Sequence, residues 1–261
     1  MTIILELKNA TKRIDNGLNE TKTILNHVNL KIAKGEFVTV LGGNGAGKST
    51  LFNSIAGTIS LSEGELFVKE QSITNFSEEK RAQFFSRVFQ DPKMGTAPRM
   101  TVAENLLLAL YRGQRRGLSL RKINEQRAHF TKICAEVGNG LENHLDTPTG
   151  NLSGGQRQAL SLLMATLTKP DLLLLDEHTA ALDPKTSKQL MHLTDQRIKE
   201  NELTCLMITH RMEDALHYGN RLIVLQKGQI IKDLNKEEKE KLTLQDLLLF
   251  FEEEPEELAV D

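Results

Sequence analysis

The eight residues Gly42-Gly43-Asn44-Gly45-Ala46-Gly47-Lys48-Ser49 satisfy the pattern G-x-x-x-x-G-K-[ST] in full. Glycines at this density let successive backbone amides turn inward on an anion, at the positive end of the helix that follows. Lys48 can then reach the outer phosphates of a nucleotide. The Ser49 hydroxyl falls at the position of a Mg²⁺ ligand, and Thr50 beside it belongs to the nucleotide-binding residues. A metal held this way needs an acidic partner. Leu172-Leu173-Leu174-Leu175-Asp176-Glu177 delivers two carboxylates at the end of an apolar run. Asp176 is the candidate metal ligand, through water. Glu177, one residue further on, is placed to accept a proton from an attacking water.

These residues need a scaffold. A compact β-type run, Phe37–Leu41, leads directly into the glycine loop, and a helical run extends from Lys48 to about residue 59. Ligands of open α/β sheets lie beyond the carboxyl ends of the strands, where Asp176 and Glu177 fall. Further strands are expected at residues 3–7, 28–32, 64–68, 87–89, Cys205–Ile208, 222–225 and 229–231, with turns at Asp15-Asn16-Gly17 and Lys227-Gly228. Residues 91–158 read as helical, and Thr101 with Glu104 forms a capping box. Buried strands with helices between them argue for an α/β sheet. After residue 236 the chain is charge-dense around one apolar patch at 247–251, the pattern of a short docked helix followed by an acidic end at 252–257.

The 261 residues carry 33 Lys+Arg against 35 Asp+Glu, a formal net charge of -2, with 39% hydrophobic residues and 18 glycines. That balance excludes a collagenous or broadly disordered chain. It also excludes a basic nucleic-acid binder, which needs positive charge to displace counterions. The cluster Arg112, Arg115, Arg116, Arg121 and Lys122 has only Tyr111 as an aromatic neighbour and reads as a solvated helix face, with no nucleic-acid partner. No run approaches the roughly 18 apolar residues of a membrane span. The N-terminus has no basic region ahead of its apolar residues, so no signal peptide is expected. Cys134 and Cys205 sit in apolar settings and read as buried thiols in a reducing compartment. The expectation is a soluble, cytoplasmic chain whose membrane role, if any, needs a partner.

Asn151-Leu152-Ser153-Gly154-Gly155-Gln156-Arg157-Gln158 resembles the LSGGQ signature of ATP-binding-cassette (ABC) ATPases, although Ser153 with Gln156 is also an ordinary capping box. Its place shortly before the Asp176 strand strengthens the resemblance, which runs through nearly the whole chain. Gln90 resembles the glutamine that joins the core to a helical subdomain and senses metal and γ-phosphate. Asp183, in Ala181-Leu182-Asp183, resembles the D-loop aspartate, and His210 the switch histidine. The resemblance implies a P-loop NTPase core with an N-terminal antiparallel β subdomain and an inserted helical subdomain. Residues 1–90 and 159–235 would form the ATP-binding core and 91–158 the helical (signature) subdomain; 236–261 would be a C-terminal helix and acidic tail.

The same resemblance implies an ATP hydrolase with Mg²⁺, Glu177, His210 and Gln90 in catalytic roles, and Ser49, Gln90 and Asp176 around the metal. It implies a head-to-tail homodimer in which Ser153, Gly154, Gly155 and Gln156 close on the ATP held by the other subunit. It further implies integral-membrane permease subunits, an extracytoplasmic solute-binding protein, and a place on the inner face of the cell membrane, with import favoured over export. A non-transport ABC ATPase in a soluble complex (repair, translation or iron–sulfur assembly) is the alternative. Two positions depart from the family. Ile14 stands where an aromatic ring usually stacks on adenine, and His178 stands where proline usually follows the catalytic glutamate. His178 is expected to adjust the loop; a proton relay beside Glu177 is the competing reading. The run from Asp176 to Thr186 resembles a branch serving importers with a lipoprotein-type binding protein for amino-acid-like solutes.

Overall fold

The computed structural model describes residues 2–15, 21–113 and 122–252. Asn16 and Gly17 of the expected turn, the basic residues Arg115, Arg116 and Arg121, and the acidic end beyond Glu252 lie outside them. The chain opens with two long strands, β1 (Ile3–Asp15) and β2 (Thr21–Ala33), paired antiparallel. Both are longer than the alternating stretches at 3–7 and 28–32, because register shifts between Leu7 and Arg13 break the two-residue period while the ladder continues. β4 (Glu63–Val68) and β5 (Gln71–Ser72) complete a four-stranded antiparallel sheet in the order β2-β1-β4-β5.

The second sheet carries the chemistry. It contains β3 (Phe37–Leu41), β6 (Phe85–Val88), β7 (Leu172–Asp176), β8 (Cys205–Ile208), β9 (Arg221–Gln226) and β10 (Gln229–Leu234) in the order β10-β9-β3-β8-β7-β6. Only β10 runs antiparallel to its neighbour, so β3, β6, β7 and β8 end at one edge. Leu172, Leu173, Leu174 and Leu175 are wholly buried because both faces of β7 are covered. Each such leucine contributes about 1.5–3 kcal/mol of burial. β6 starts two residues earlier than its expected position and stops at Val88, where its pairing to Leu175 ends.

α1 (Lys48–Ala56) ends before residue 59 because Gly57, at φ +92°, caps it in a left-handed conformation. Between α2 (Glu78–Arg81) and α3 (Val102–Leu110), residues 91–100 form turns rather than helix. The buried Asn105 side chain satisfies this segment by bonding to Ala97, Met100 and Thr101. α3 opens with the expected Thr101–Glu104 capping box. α3, α4 (Ile123–Ala135) and α5 (Gly154–Thr166) share a core of Leu106, Phe130, Ile133, Cys134, Leu160 and Leu163. The opposite face of α5, with Ala159, Leu162 and Ala165, packs on the second sheet beside α6 (Pro184–Glu200). α7 (Met212–His217), α8 (Lys236–Lys239) and α9 (Leu244–Glu252) close the chain, Leu247 of α9 being wholly buried against Leu41, Ala215 and Leu222. Both cysteines are buried and free, and burial pushes the Cys134 thiol up to about 12.

Candidate active site

The glycine loop is set by backbone crowding. A Cβ at Gly42 would lie 2.5 Å from the Leu225 carbonyl of β9, and one at Gly47 2.8 Å from the Ile24 carbonyl of β2. Gly47 has φ +102° and Gly45 φ +77°, conformations that side chains rarely adopt. As N-cap of α1, Gly47 offers no capping side chain, and Leu51 N is the first amide to reach its carbonyl, at 2.8 Å. The amides of Lys48, Ser49 and Thr50 are therefore the helix's unpaired donors, the elements of an anion site. Lys48 is buried, its Nζ donating to Gly42 O at 2.6 Å and Gly43 O at 2.9 Å. Burial holds its ammonium below the usual lysine range, and the charges of Glu177 and Asp176 oppose that shift.

Asp176 ends β7 beside β8, and Glu177 leaves the strand with φ +45°, unusual for a residue with a side chain. Two bonds over-determine that geometry: Glu177 N to Ile208 O at 3.1 Å and Ala180 N to Glu177 O at 2.9 Å. His210, just past β8, brings Nδ1 to 3.4 Å from Glu177 Oε2. Lys48, Asp176, Glu177 and His210 thus converge at the ends of three adjacent parallel strands. Gln90 follows β6 at the same edge and is exposed. The carbonyl before it, Phe89 O, accepts from Gln158 Nε2 at 2.8 Å, tying this loop to α5.

His178 turns away from that edge. It is 2% exposed, and its Nε2 lies 3.0 Å from Thr194 Oγ1 on α6. Thr194 Oγ1 itself donates to Leu190 O at 2.8 Å, so the imidazole N–H donates to the threonine oxygen. Burial pushes the ring down to about 4, leaving it neutral at physiological pH.

At the signature, the capping box is present. Ser153 Oγ accepts from Gln156 N, and Gln156 Oε1 accepts from Ser153 N, both at 3.2 Å. None of these bonds reaches the glycine loop. Gly155 lies against α6, where a Cβ would meet Thr186 Cγ2 at 2.7 Å; nothing lies within 4 Å of the corresponding position at Gly154. Ser153, Gly154 and Gln156 face Ala181, Asp183 and Thr186 across a cleft of about 400 Å³. Asp183 caps α6 by accepting from Lys185 N and Thr186 N, with Pro184 in the first turn. Ile14 is 45% exposed near the end of β1, paired with Lys22.

Two residues at this edge were not anticipated from sequence. Arg87 Nη2 donates to Asp176 Oδ2 at 2.5 Å, and its Nη1 donates to Asn53 Oδ1 on α1 at 2.7 Å. The available signal was a lone charge in the short strand Phe85–Val88, which burial obliges to find a partner. The donor set fits Mg²⁺. A serine hydroxyl and a carboxylate are hard oxygen ligands, and no cluster of three or more His, Cys, Asp or Glu forms a protein cage among the described residues. Mg²⁺ typically takes one or two protein ligands and completes its shell with phosphate and water.

Residues 25–180 match the family described as ABC transporter, and the chain belongs to that family. It is an ATP-binding, ATP-hydrolysing cassette on a P-loop NTPase fold. It is 46% identical over 250 residues to the tyrosine transport ATP-binding protein of Clostridioides difficile (strain R20291), covering 95% of this chain and 99% of that protein. Similarity to the spermidine/putrescine import ATP-binding protein PotA of Haemophilus ducreyi (strain 35000HP / ATCC 700724) is 34% over 230 residues. That match takes in 88% of this chain but 57% of the relative, so the chain spans little more than half of PotA's length. Among solved structures, the dimeric post-hydrolysis state of the ATP-binding cassette MJ0796 bound to ADP and Pi matches with a TM-score of 0.75 and 30% identity, over 89% of this chain and 99% of that one. These relatives are transport proteins by name, which disfavours the non-transport alternative. No helix among the described residues is long and apolar enough to cross a membrane.

Proposed function

We propose that this chain is the ATPase subunit of an importer for an amino-acid-like solute, working as a head-to-tail homodimer beneath a separate membrane permease. The observation that carries the ATPase half is the convergence of Lys48, Asp176, Glu177 and His210 on one sheet edge. In this reading the loop amides and Lys48 hold the β- and γ-phosphates, and Asn44 and Ala46 belong to the same cradle. Ser49, Asp176 and Gln90 hold Mg²⁺, which neutralises charge on the phosphates when bound. Glu177 takes the proton of the attacking water, and His210 contacts the γ-phosphate. Ser153 of the partner subunit completes the site, with Asp183 at the subunit boundary and Ile14 beside the base.

The solute class is supported by the tyrosine transport relative, which this chain matches nearly end to end. We further propose residues 1–90 and 159–235 as the ATP-binding core, with 91–158 as the helical unit. Between them lies a groove of about 500 Å³, walled by Glu78, Arg87, Phe89, Leu108, Arg112 and Met164, of a size to take a short helix of the permease. An extracytoplasmic solute-binding protein and a position on the inner membrane face complete this reading.

Glu177→Gln tests it. The variant should bind MgATP, accumulate as an ATP-bound dimer on gel filtration, and hydrolyse ATP at least about a hundredfold more slowly, the low end of the contribution of a positioned base. It should also abolish tyrosine uptake by intact cells that carry the variant together with its cognate permease. A monomeric variant with parental turnover would remove Glu177 from its role. Co-purification with a soluble complex instead of a permease would overturn the transport assignment.

A further inference from the structure

We propose that Arg87 competes with the divalent cation for Asp176 and thereby sets the metal affinity of the nucleotide site. The proposal rests on the assignment of Asp176 as a metal ligand made above. Arg87 lies on β6 in register with Leu174 of β7, so its side chain reaches the carboxylate at the end of β7 from the neighbouring strand. One guanidinium nitrogen takes Asp176 Oδ2 at 2.5 Å, and a second takes Asn53 Oδ1 at 2.7 Å. Asn53 stands four residues after Ser49 on α1, one helical turn along the same face. Arg87 therefore bridges the two elements that carry Ser49 and Asp176, two of the three candidate metal ligands.

The pair is partly desolvated, with Arg87 13% and Asp176 14% exposed, so little water screens it. Among the described residues Asp176 is the only acidic side chain ion-paired with Arg87, and the guanidinium carbon stacks 4.7 Å from the Phe89 ring centre. A carboxylate has about four acceptor sites, so the other oxygen can still serve a cation. The cation must then share its ligand with a fixed positive charge, which weakens its hold. An uncharged side chain at position 87 would relieve that competition.

The test is Mn²⁺ binding in the presence of saturating ADP, followed by loss of the free Mn²⁺ electron paramagnetic resonance signal, with ADP affinity in EDTA measured separately. Arg87→Met should lower the half-saturating Mn²⁺ by about three- to tenfold, a screened single-charge effect, with metal-free ADP affinity unchanged. Arg87→Lys retains the charge and should stay closer to the parent than Arg87→Met. In an Asp176→Asn background the gain from Arg87→Met should vanish, as coupling between the two requires. An unchanged or raised half-saturation in Arg87→Met, with Asp176→Asn weakening Mn²⁺ binding, overturns the proposal alone. If Asp176→Asn leaves Mn²⁺ binding unaltered, the metal assignment itself fails and this proposal falls with it.

Discussion

His178 gives a stability signature that can be worked from the structure. The ring is 2% exposed, donates to Thr194, and is pushed by burial from the ordinary 6.5 to about 4. The unfolded chain therefore binds a proton near pH 6.5 that the folded chain refuses until near pH 4. Stability from this group is fully present above pH 6.5 and is lost as the pH falls from 6.5 towards 4. At pH 5.0 the unfolded imidazole is almost fully charged and the folded one about one-tenth charged, a difference of about 2 kcal/mol between pH 7.5 and 5.0. His178→Gln removes the titration while keeping an N–H for Thr194. Urea unfolding of both chains in EDTA, at pH 7.5 and pH 5.0, isolates the term because every other titrating group is shared. The parent should lose about 2 kcal/mol more than His178→Gln over that interval. Equal losses, within about 0.5 kcal/mol, would refute a neutral, buried imidazole. The same geometry excludes the ring from proton relay, so His178→Pro should leave the pH–rate profile of hydrolysis unchanged.

Further tests concern the base and the subunit interface. Ile14→Tyr should tighten ATP binding by up to about tenfold, because stacking on a base contributes about 1–3 kcal/mol, and it should sharpen discrimination against GTP. A parent with strong ATP preference that the substitution leaves unaltered would place Ile14 away from the base. Lys48→Ala and Ser153→Arg chains, each nearly inactive alone, should regain some hydrolysis on mixing, through the one composite site with both residues intact. A crosslink from Ser153 only to nucleotide on its own subunit would contradict the trans arrangement.

The phosphate loop was legible because its pattern is local. Glycines, a lysine and a serine at fixed offsets, between a buried strand and a helix, leave few alternatives. The second sheet was legible for a related reason, since strands buried on both faces announce themselves as apolar runs such as 172–175. The full lengths of β1 and β2 were not, because bulges interrupt the alternation that marks a strand. The turns between residues 91 and 100 were hidden because they depend on one side chain, Asn105, reaching back from α3. Arg87 was missed for the opposite reason: it was visible as the one charge in its strand, but its partners lie 34 and 89 residues away.

Sequence alone left Ser153 with two readings, a helix cap or an ATP contact, and the structure makes them compatible. Its hydroxyl accepts from Gln156 N, and as a donor and two-lone-pair acceptor it keeps capacity for a second partner. Gly154 beside it has open space, so a phosphate from another subunit can approach the helix terminus without a side chain in the way. Gly155 is constrained for a different reason, because the Thr186 methyl on α6 lies 2.7 Å from where a Cβ would stand and would have to shift. Asp183 at the start of α6 spends its Oδ1 on Lys185 N and Thr186 N and faces the same cleft. The two helix termini thus form one surface whose local bonds fix it before any partner arrives. In the proposed dimer, fixing it in advance would reduce the ordering cost of closure on ATP.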